Sequence, residues 1–304
     1  MTTTAPPTPP TTSAPAEVRA TEGRRRTLPP AVWLIAPSVI FMALLFGWPM
    51  IQGILQAFRN SDGFTLEFVR RMVADPYFWT AVRNTLLLIV VLIPLQFVFA
   101  VAMALLLRAA PRGKGLYFYL WAIPLAVSDL AAGLVWLAIF TDRGYLNSVL
   151  ERLGVGGYSW LAYDSQLTMF IAVLLAELWR ATSLVLVIVV AGLQGIPKDY
   201  DEAAQVFGAS AWDRLRHVTL PLLKPSLQVA LILRTILAFQ TFAVAQALTG
   251  QNFPLVVGET YRWYTALQNP GVAAALALVI MLVSMLTSVV YLRVLRESAQ
   301  GGSK

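Results

Sequence analysis

Long apolar stretches alternate with short polar segments along most of this chain, and that alternation predicts a membrane protein. Each apolar stretch has about 20 residues or more, the length that an α-helix needs to cross the hydrocarbon core of a bilayer. We therefore expect an all-α, polytopic membrane protein with six transmembrane helices. The predicted spans are residues 32–58, 80–107, 116–140, 167–192, 222–248 and 272–294.

The two ends of the chain differ from this pattern. Residues 1–30 are rich in Thr, Pro and Ala and contain seven prolines, so we expect a disordered tail that cannot bury a core. The apolar run after this tail is longer than the roughly 7–15 residues of a signal-peptide core, which favours a retained first span. Residues 31–296 then form the membrane domain, and residues 297–304 form a short C-terminal tail.

Composition and charge support this interpretation. Apolar residues make up 58% of the chain and charged residues 13%, against about 25% charged in a typical soluble domain. The net charge of +7 does not indicate nucleic-acid binding, because the bases lie in short clusters between the spans. With the N-terminus in the cytoplasm, fourteen Lys and Arg residues lie inside and seven outside. This bias predicts that both termini are cytoplasmic.

The chain has no cysteine, and His217 is its single histidine. These counts exclude a disulfide framework, a thiolate metal site and a site with several histidine ligands. We therefore expect this chain to bind no metal.

One segment that is predicted to be cytoplasmic, residues 193–221, is polar and has a sequence pattern that favours helix. Asp199 and Glu202 have the spacing of a capping box, Gly208 can end the first helix, and Ser210 can open a second. The pattern predicts a helix–turn–helix beneath the membrane. An amphipathic linker resting on lipid headgroups is the alternative. Four acids in this segment argue against adhesion to an anionic leaflet and favour a protein partner.

The residue order of this segment resembles the EAA loop of importer permeases in the ATP-binding-cassette (ABC) class. The flanking sequences are similar to those of the maltose-type sugar permeases, and two further motifs in the spans agree. Together they cover most of residues 30–295. The matching stretches are Glu202-Ala203-Ala204, Gly208, Leu220-Pro221, Leu193 to Pro197, Leu222 to Pro225, Asn84-Thr85-Leu86 and Leu248-Thr249-Gly250.

The resemblance implies a type I ABC importer permease fold and a coupling helix that docks on a separate ATPase. Glu202 would anchor the loop, although it could instead only close its own helix cap. Phe207 replaces the acid that the family usually has before Gly208, which suggests an altered hinge contact and a heterodimer with a second permease. The predicted coupling residues are Asp201, Glu202, Ala203, Ala204, Phe207, Gly208 and Trp212.

The same resemblance implies the partners of the chain. They would be a second homologous permease, two ATPase subunits and an extracytoplasmic sugar-binding lipoprotein, with lipid around the spans. The chain has no Gly-x-x-x-x-Gly-Lys phosphate loop. ATP and Mg²⁺ would therefore bind to the partner ATPase, and this chain would be a transport subunit with no bound cofactor and no catalytic role.

Ionisable residues inside the predicted spans are candidates for substrate binding, because such groups are expensive at membrane depth and usually line a pathway. Planar polar side chains also suit the hydroxyl groups of sugars. Glu177 and Arg180 are three residues apart and share a helix face. A structural ion pair, or snorkelling to the surface, is the alternative. The candidate substrate-binding residues are Glu177, Arg180, Arg234, Gln240 and Asp129.

The sequence thus predicts one permease subunit of an ATP-driven sugar importer in a bacterial plasma membrane. Its Ala, Arg and Val bias suits a high-GC bacterium, which makes trehalose, maltose or another disaccharide the expected cargo. A proton-coupled secondary transporter with Glu177 as carrier is the first alternative, although most such folds have more spans and internal repeats. An intramembrane enzyme or a scaffold is the second.

Overall fold

The computed structural model describes residues 30–109 and 112–300. The predicted tail of residues 1–30 therefore lies almost entirely outside the described residues. The chain divides into two units, residues 1–50 and 51–304. The described part of the first unit contains α1 (Pro30–Met42), a π-helical segment (Ala43–Gly47) and the start of α2 (Trp48–Phe58).

The second unit is almost entirely helical, with one short hairpin. In the hairpin, Arg59 pairs with Phe64 and Asn60 with Gly63 in antiparallel register. After α2, which ends in this unit, the elements are β1 (Arg59–Asn60), β2 (Gly63–Phe64), α3 (Glu67–Ala74), α4 (Pro76–Ala109), α5 (Lys114–Ala126), α6 (Asp129–Phe140), α7 (Tyr145–Arg152), α8 (Gln166–Gln194), α9 (Lys198–Val206), α10 (Ala211–Arg214), a π-helical turn (Leu215–Thr219), α11 (Leu220–Phe239), α12 (Ala243–Thr249), α13 (Val256–Thr265) and α14 (Pro270–Gln300).

The number of membrane-spanning helices agrees with the sequence pattern. Within the described residues, five helices are long and apolar enough to cross a membrane, and a bent pair of helices can supply a sixth span. The prediction of an all-α, multi-span fold is confirmed. The last helix continues to Gln300, so the first four residues of the predicted tail 297–304 are helical. The five spans are Leu34–Phe58, Pro76–Ala109, Gln166–Gln194, Ala211–Phe239 and Pro270–Arg293.

Helix α8 is the centre of the second unit and packs against α4, α5, α6, α11 and α12. Its buried face carries small and branched residues, among them Ala172, Ala176, Val185 and Val189. Small side chains allow close approach of helices in a membrane, where packing rather than water exclusion drives association. The polar residues on this helix are thereby brought against three neighbouring helices.

The third predicted span, 116–140, is broken into two helices. It consists of α5 and α6, and the helix pair around this break is bent by 101°. Val127 has an extended backbone, and Ser128 caps the next helix by accepting a hydrogen bond from the Ala131 N–H. A new cap satisfies an N–H group that would otherwise lack a partner. The break places Asp129 in the first turn of α6.

The fifth predicted span, 222–248, ends earlier than the sequence suggests. Helix α11 stops at Phe239, where the Gln240 and Thr241 N–H groups donate to carbonyls three residues back. Such i→i+3 bonds tighten and close a last turn. The chain then turns at Phe242 into α12, which packs against α6.

An ion-pair cluster fastens α13 to the segment before α4. Arg262 lies 2.6 Å from carboxylate oxygens of both Asp75 and Glu259, and its guanidinium stands over the Tyr77 ring. Burial raises the pKa of Glu259, and the adjacent Arg262 opposes that shift. This cluster fixes the short helix α13, which also packs against α14.

The contact between α6 and α12 depends on Gly133 and leads to a testable prediction. A Cβ atom at this position would lie 2.6 Å from Cβ of Ala247 and 3.1 Å from the backbone of Val244. We expect Gly133→Ala to destabilise the protein by about 1–3 kcal/mol, the usual cost of overpacking a filled core. The measurement is the thermal unfolding temperature of the purified protein in detergent.

Gly115→Ala is the matched control, because nothing lies within 4 Å of a Cβ atom there and the residue is helical. Alanine favours a helix by roughly 0.5–1 kcal/mol over glycine, so this variant should be at least as stable as the parent. Equal unfolding temperatures for Gly133→Ala and Gly115→Ala would contradict the proposed close approach of α6 and α12.

Candidate functional site

Four ionisable side chains and one amide form a connected polar network across four helices. We define this network by Gln96 of α4, Asp129 of α6, Glu177 and Arg180 of α8, and Arg234 of α11. Four of the five predicted substrate-binding residues thus lie together, although they are up to 105 positions apart in the chain (129 and 234). Convergence on α8 follows from its central position.

The inner part of the network is fully buried. Arg234 donates from Nη2 to Oε2 of Glu177 at 3.1 Å and from Nε to Oε1 of Gln96 at 2.7 Å. The Gln96 amide in turn donates from Nε2 to the carbonyl oxygen of Glu177 at 3.2 Å. These three residues therefore satisfy one another, as buried polar groups must when water is absent.

The outer part of the network is partly accessible. Arg180 donates from Nη2 to Oε2 of Glu177 at 3.2 Å, and its Nη1 lies 2.7 Å from Oδ1 of Asp129. The side chain of Arg180 is 20% exposed and that of Asp129 is 54% exposed. Accessibility therefore rises from Arg234 and Glu177 through Arg180 to Asp129.

The charges of the network sum to zero, with two guanidinium groups and two carboxylates. Removing one partner of a buried ion pair leaves an uncompensated charge and costs about 3–5 kcal/mol. Loss of one charged side chain is therefore expected to destabilise the other members of the network. The alternative considered from the sequence was a structural ion pair of Glu177 with Arg180. Glu177 lies within 3.2 Å of both Arg180 and Arg234, and Arg180 and Asp129 are the more exposed members of the network.

Gln240, the fifth predicted substrate-binding residue, lies outside this network. It caps the C-terminal end of α11 and is exposed. The polar stripe predicted along the fifth span is interrupted there, because α11 ends one residue earlier. Trp136 and Trp179 lie near the network, with ring centroids 6.2 Å apart in an edge-to-face arrangement.

Gln96 is the member of the network that sequence reasoning missed. It is an isolated amide inside the longest apolar helix and follows Pro94 by two residues. A polar residue in the middle of an apolar span is the signal that pointed to Arg234, and the same signal was present here. Gln96 is uncharged, so a criterion based on ionisable residues does not select it, although a buried amide also needs hydrogen-bond partners.

The predicted helix–turn–helix is present, and we call residues 198–214 the elbow. Gly208 separates α9 from α10 with φ of +80°, a left-handed conformation that glycine adopts without strain. Ser210 and Asp213 form the capping box of α10. The predicted cap by Asp199 is wrong, because α9 begins at Lys198 with Pro197 before it. Pro197 occupies the cap position without a side-chain hydrogen bond, and Asp199 lies in the first turn, where the helix dipole favours negative charge.

An ion pair holds the two arms of the elbow together. Arg214 of α10 lies 3.2 Å from Asp201 of α9, and Gln205 donates to the second oxygen of Asp201 at 3.3 Å. Asp201 is therefore occupied within the elbow. Glu202 and Ala203 are exposed, whereas Ala204 is half-buried and its carbonyl accepts from the Ala209 N–H across the turn.

The outer surface of the elbow is unusually apolar. Val206 is 84% exposed, Phe207 is 90% exposed and Trp212 is 65% exposed. Three large apolar side chains around one exposed turn are typical of a surface that binds another protein. Together with the carboxylate of Glu202, they give this tip both apolar and acidic character.

A cleft of about 1110 Å³ lies between the elbow and the adjacent ends of α4, α5 and α8. Leu105, Phe118 and Val190 contribute to its apolar wall, and Arg108 and Lys198 contribute charge. Asp201, Glu202 and Trp212 also line the cleft. Among the residues that the structure describes, no three His, Asp or Glu side chains converge in a way that could hold a metal ion.

Comparisons with known proteins place the chain in a family. Residues 76–297 match the model of the family described as "binding-protein-dependent transport system inner membrane component". The chain is similar to the sulfoquinovosyl glycerol transport system permease SmoG of Agrobacterium fabrum, with 34% identity over 285 residues, covering 88% of this chain and 90% of that protein. It is also similar to the trehalose transport system permease SugA of Mycobacterium tuberculosis, with 33% identity over 72% of this chain and 73% of that one.

The fold also resembles solved structures. A chain of a bacterial ABC transporter involved in the import of the acidic polysaccharide alginate superposes with a TM-score of 0.79. The identity is 18%, and the superposition covers 88% of this chain and 96% of the other. At that identity the likeness concerns the fold, and it agrees with the predicted importer permease architecture.

The family match extends over most of the described residues, including the network and the elbow. Because the members of this family are transport components of the inner membrane, the predictions of a membrane location and of a transport subunit rather than an enzyme are confirmed. This chain is a member of the binding-protein-dependent transport system inner membrane component family.

Proposed function

We propose that this chain is the permease subunit of an ATP-driven importer of sugars. The names of its relatives include transport systems for sulfoquinovosyl glycerol, trehalose/maltose and trehalose, all of which contain a sugar. One observation supports the proposal most directly: a single chain combines a charge-balanced polar network among its spans with an exposed apolar elbow. The polar network suits a hydrophilic cargo, and the exposed elbow suits binding to a separate ATPase.

The elbow is the proposed contact with the ATPase. Val206, Phe207 and Trp212 would enter an apolar groove of the motor, with Glu202 beside them. Gly208 sets the angle between α9 and α10, and the Asp201–Arg214 pair holds it. Ala203 and Ala204 leave room for close packing. ATP and Mg²⁺ would bind to the motor, and its closure would move the elbow.

The network is the proposed border of the cargo path. Arg180 and Asp129 are the members that a solute reaches, and their planar donor and acceptor groups suit neighbouring hydroxyl groups. Glu177, Arg234 and Gln96 hold Arg180 from behind and link α4, α8 and α11. Gln240, exposed at the end of α11, would contribute from outside the network. Trehalose or maltose is the proposed cargo, as in two of the relatives.

The proposed assembly contains two permeases, two ATPase subunits and an extracytoplasmic binding protein. The family description names dependence on a binding protein, and the exposed Phe207 at the hinge supports a second permease of different sequence. Both chain termini would be cytoplasmic, with residues 31–296 as the membrane domain and residues 193–221 as the coupling loop.

The experiment that tests this function is uptake by vesicles containing the assembled transporter and its binding protein. We expect uptake of radiolabelled trehalose or maltose to require ATP and to continue when an uncoupler collapses the proton gradient. Coupling to ATP follows from docking of the elbow, because ligands drive a transition only through differential binding to its states. Uptake that needs the proton gradient and ignores ATP would favour the secondary transporter with Glu177 as carrier.

Charge reversal in the elbow gives the second prediction of this proposal. We expect Glu202→Lys to reduce ATP-dependent uptake to background, because the exposed carboxylate lies beside the apolar docking surface. Membrane insertion should be unchanged, since the side chain makes no buried contact. The control is Glu151→Lys, the same change at an exposed position of α7. Normal uptake by Glu202→Lys would argue against docking through this residue.

The buried pair gives a stability prediction. Arg234→Met leaves Glu177 without its buried partner and should lower the free energy of unfolding by about 3–5 kcal/mol. In the double variant Glu177→Met/Arg234→Met both charges are removed, so it should unfold at a higher temperature than Arg234→Met. Thermal unfolding in detergent measures both. If the double variant is the less stable of the two, the two charges are not coupled as described above.

A further inference from the structure

We propose that Asp129 sets the charge selectivity of the site and favours neutral polyhydroxylated solutes over anionic ones. The inference rests on the proposed function, because it takes the network to border the path of the cargo. It concerns the charge of the cargo, which the names of the relatives leave open: sulfoquinovosyl glycerol carries an anionic sulfonate group, whereas trehalose and maltose are neutral.

The first step concerns which groups the two arginines of the network already contact. Arg234 is 1% exposed and is occupied by Glu177 and Gln96, so a solute cannot reach it. Arg180 uses Nη2 for Glu177 and Nη1 for Asp129. Its third nitrogen, Nε, is shut off from solvent and makes no hydrogen bond within the described residues. Both terminal nitrogens of Arg180 thus already face carboxylates, and an anion that approached Arg180 would compete with Asp129 and Glu177 for it.

The second step concerns the charge of the most exposed side chain in the network. Asp129 is 54% exposed, whereas Glu177 is 1% exposed and Arg180 is 20% exposed. The network has no net formal charge, and its most exposed member is a carboxylate. An anionic solute would meet like charge there, and it would have to displace Asp129 before it could bind Arg180. A neutral sugar can donate hydroxyl groups to the free oxygen of Asp129 without breaking the ion pair.

The third step is what holds Asp129 in place. It lies in the first turn of α6, directly after the Ser128 cap, where the helix dipole favours negative charge. The 101° bend before α6 brings this turn to α8. The start of α6 therefore fixes the position of the Asp129 carboxylate. An asparagine side chain has nearly the same shape as aspartate but carries no charge.

The test uses the assembled transporter in detergent, without the extracytoplasmic binding protein, so that the selectivity of that protein does not enter. The probes are trehalose and its 6-carboxylate, which differ in one CH₂OH group replaced by COO⁻. Equilibrium binding of both is measured for the parent and for Asp129→Asn. We expect the parent to bind trehalose at least about tenfold more tightly than the carboxylate.

In Asp129→Asn, the affinity for the carboxylate should rise by about tenfold, while the affinity for trehalose should fall, because a neutral amide accepts hydrogen bonds from sugar hydroxyl groups less strongly than a carboxylate. The gain should shrink at high salt, because it comes from an accessible charge that ions screen. Asp129→Glu should behave like the parent. Asp164→Asn, the same change at an exposed residue outside the network, should leave both affinities unchanged.

The inference is overturned if Asp129→Asn leaves the ratio of the two affinities unchanged, or if the parent prefers the carboxylate. It is also overturned if no variant binds either probe. ATP-driven uptake of trehalose by vesicles, measured in parallel, separates the two hypotheses. Uptake with an unchanged ratio removes the charge selectivity alone, whereas loss of both binding and uptake removes the proposed function as well.

Discussion

A charge buried among membrane helices must have a partner, and the arrangement of the spans around α8 follows from that requirement. Glu177 and Arg234 are each 1% exposed, so neither can be hydrated. Their pairing draws α11 to α8, and Gln96 adds α4 because it bonds to both residues. Polar contacts between membrane helices are individually modest, but an unpaired charge at this depth is not. The polar network consequently fixes which helices are neighbours.

The polar network and the elbow are opposite in character. The network hides polarity inside an apolar environment, whereas the elbow presents apolar side chains to water. Val206 and Phe207 directly precede Gly208, where the chain turns sharply, and both side chains are exposed. Exposed apolar area of this kind is unfavourable unless a partner covers it. A separate motor subunit supplies that cover in the proposed assembly.

Much of the fold could be predicted from the sequence because hydrophobic length is a strong signal. The i, i+3 spacing of Glu177 and Arg180 also revealed their shared helix face, and the glycine and serine of the elbow revealed its turn and second cap. The break at Val127 and Ser128 was harder to see, because apolar residues continue on both sides and the composition does not change. Tertiary packing decides such a bend. Likewise, the pairing of Arg234 with Glu177 depends on which helices are adjacent, and one sequence contains no direct measure of adjacency.

The end of α11 shows the same limit. Residues 240–248 are apolar enough to extend a span, yet the chain closes the helix at Phe239 and folds α12 against α6. The close approach at Gly133 stabilises this packing, because glycine leaves a groove on α6 that α12 fills. Hydropathy measures whether a segment tolerates lipid, and it does not measure whether the segment packs better elsewhere.

The continuity of the helix from Ala211 to Phe239 has a mechanical consequence. Trp212 at the tip of the elbow and Arg234 in the network belong to one rod, without an intervening loop to absorb strain. At about 1.5 Å per residue, the two side chains are attached roughly 33 Å apart along this lever. A tilt applied at one end must displace the other or bend the rod at its π-helical turn, Leu215–Thr219, which is wider than an α-helical turn. The position of the elbow and the arrangement of the ion pairs are thus linked through one continuous helix.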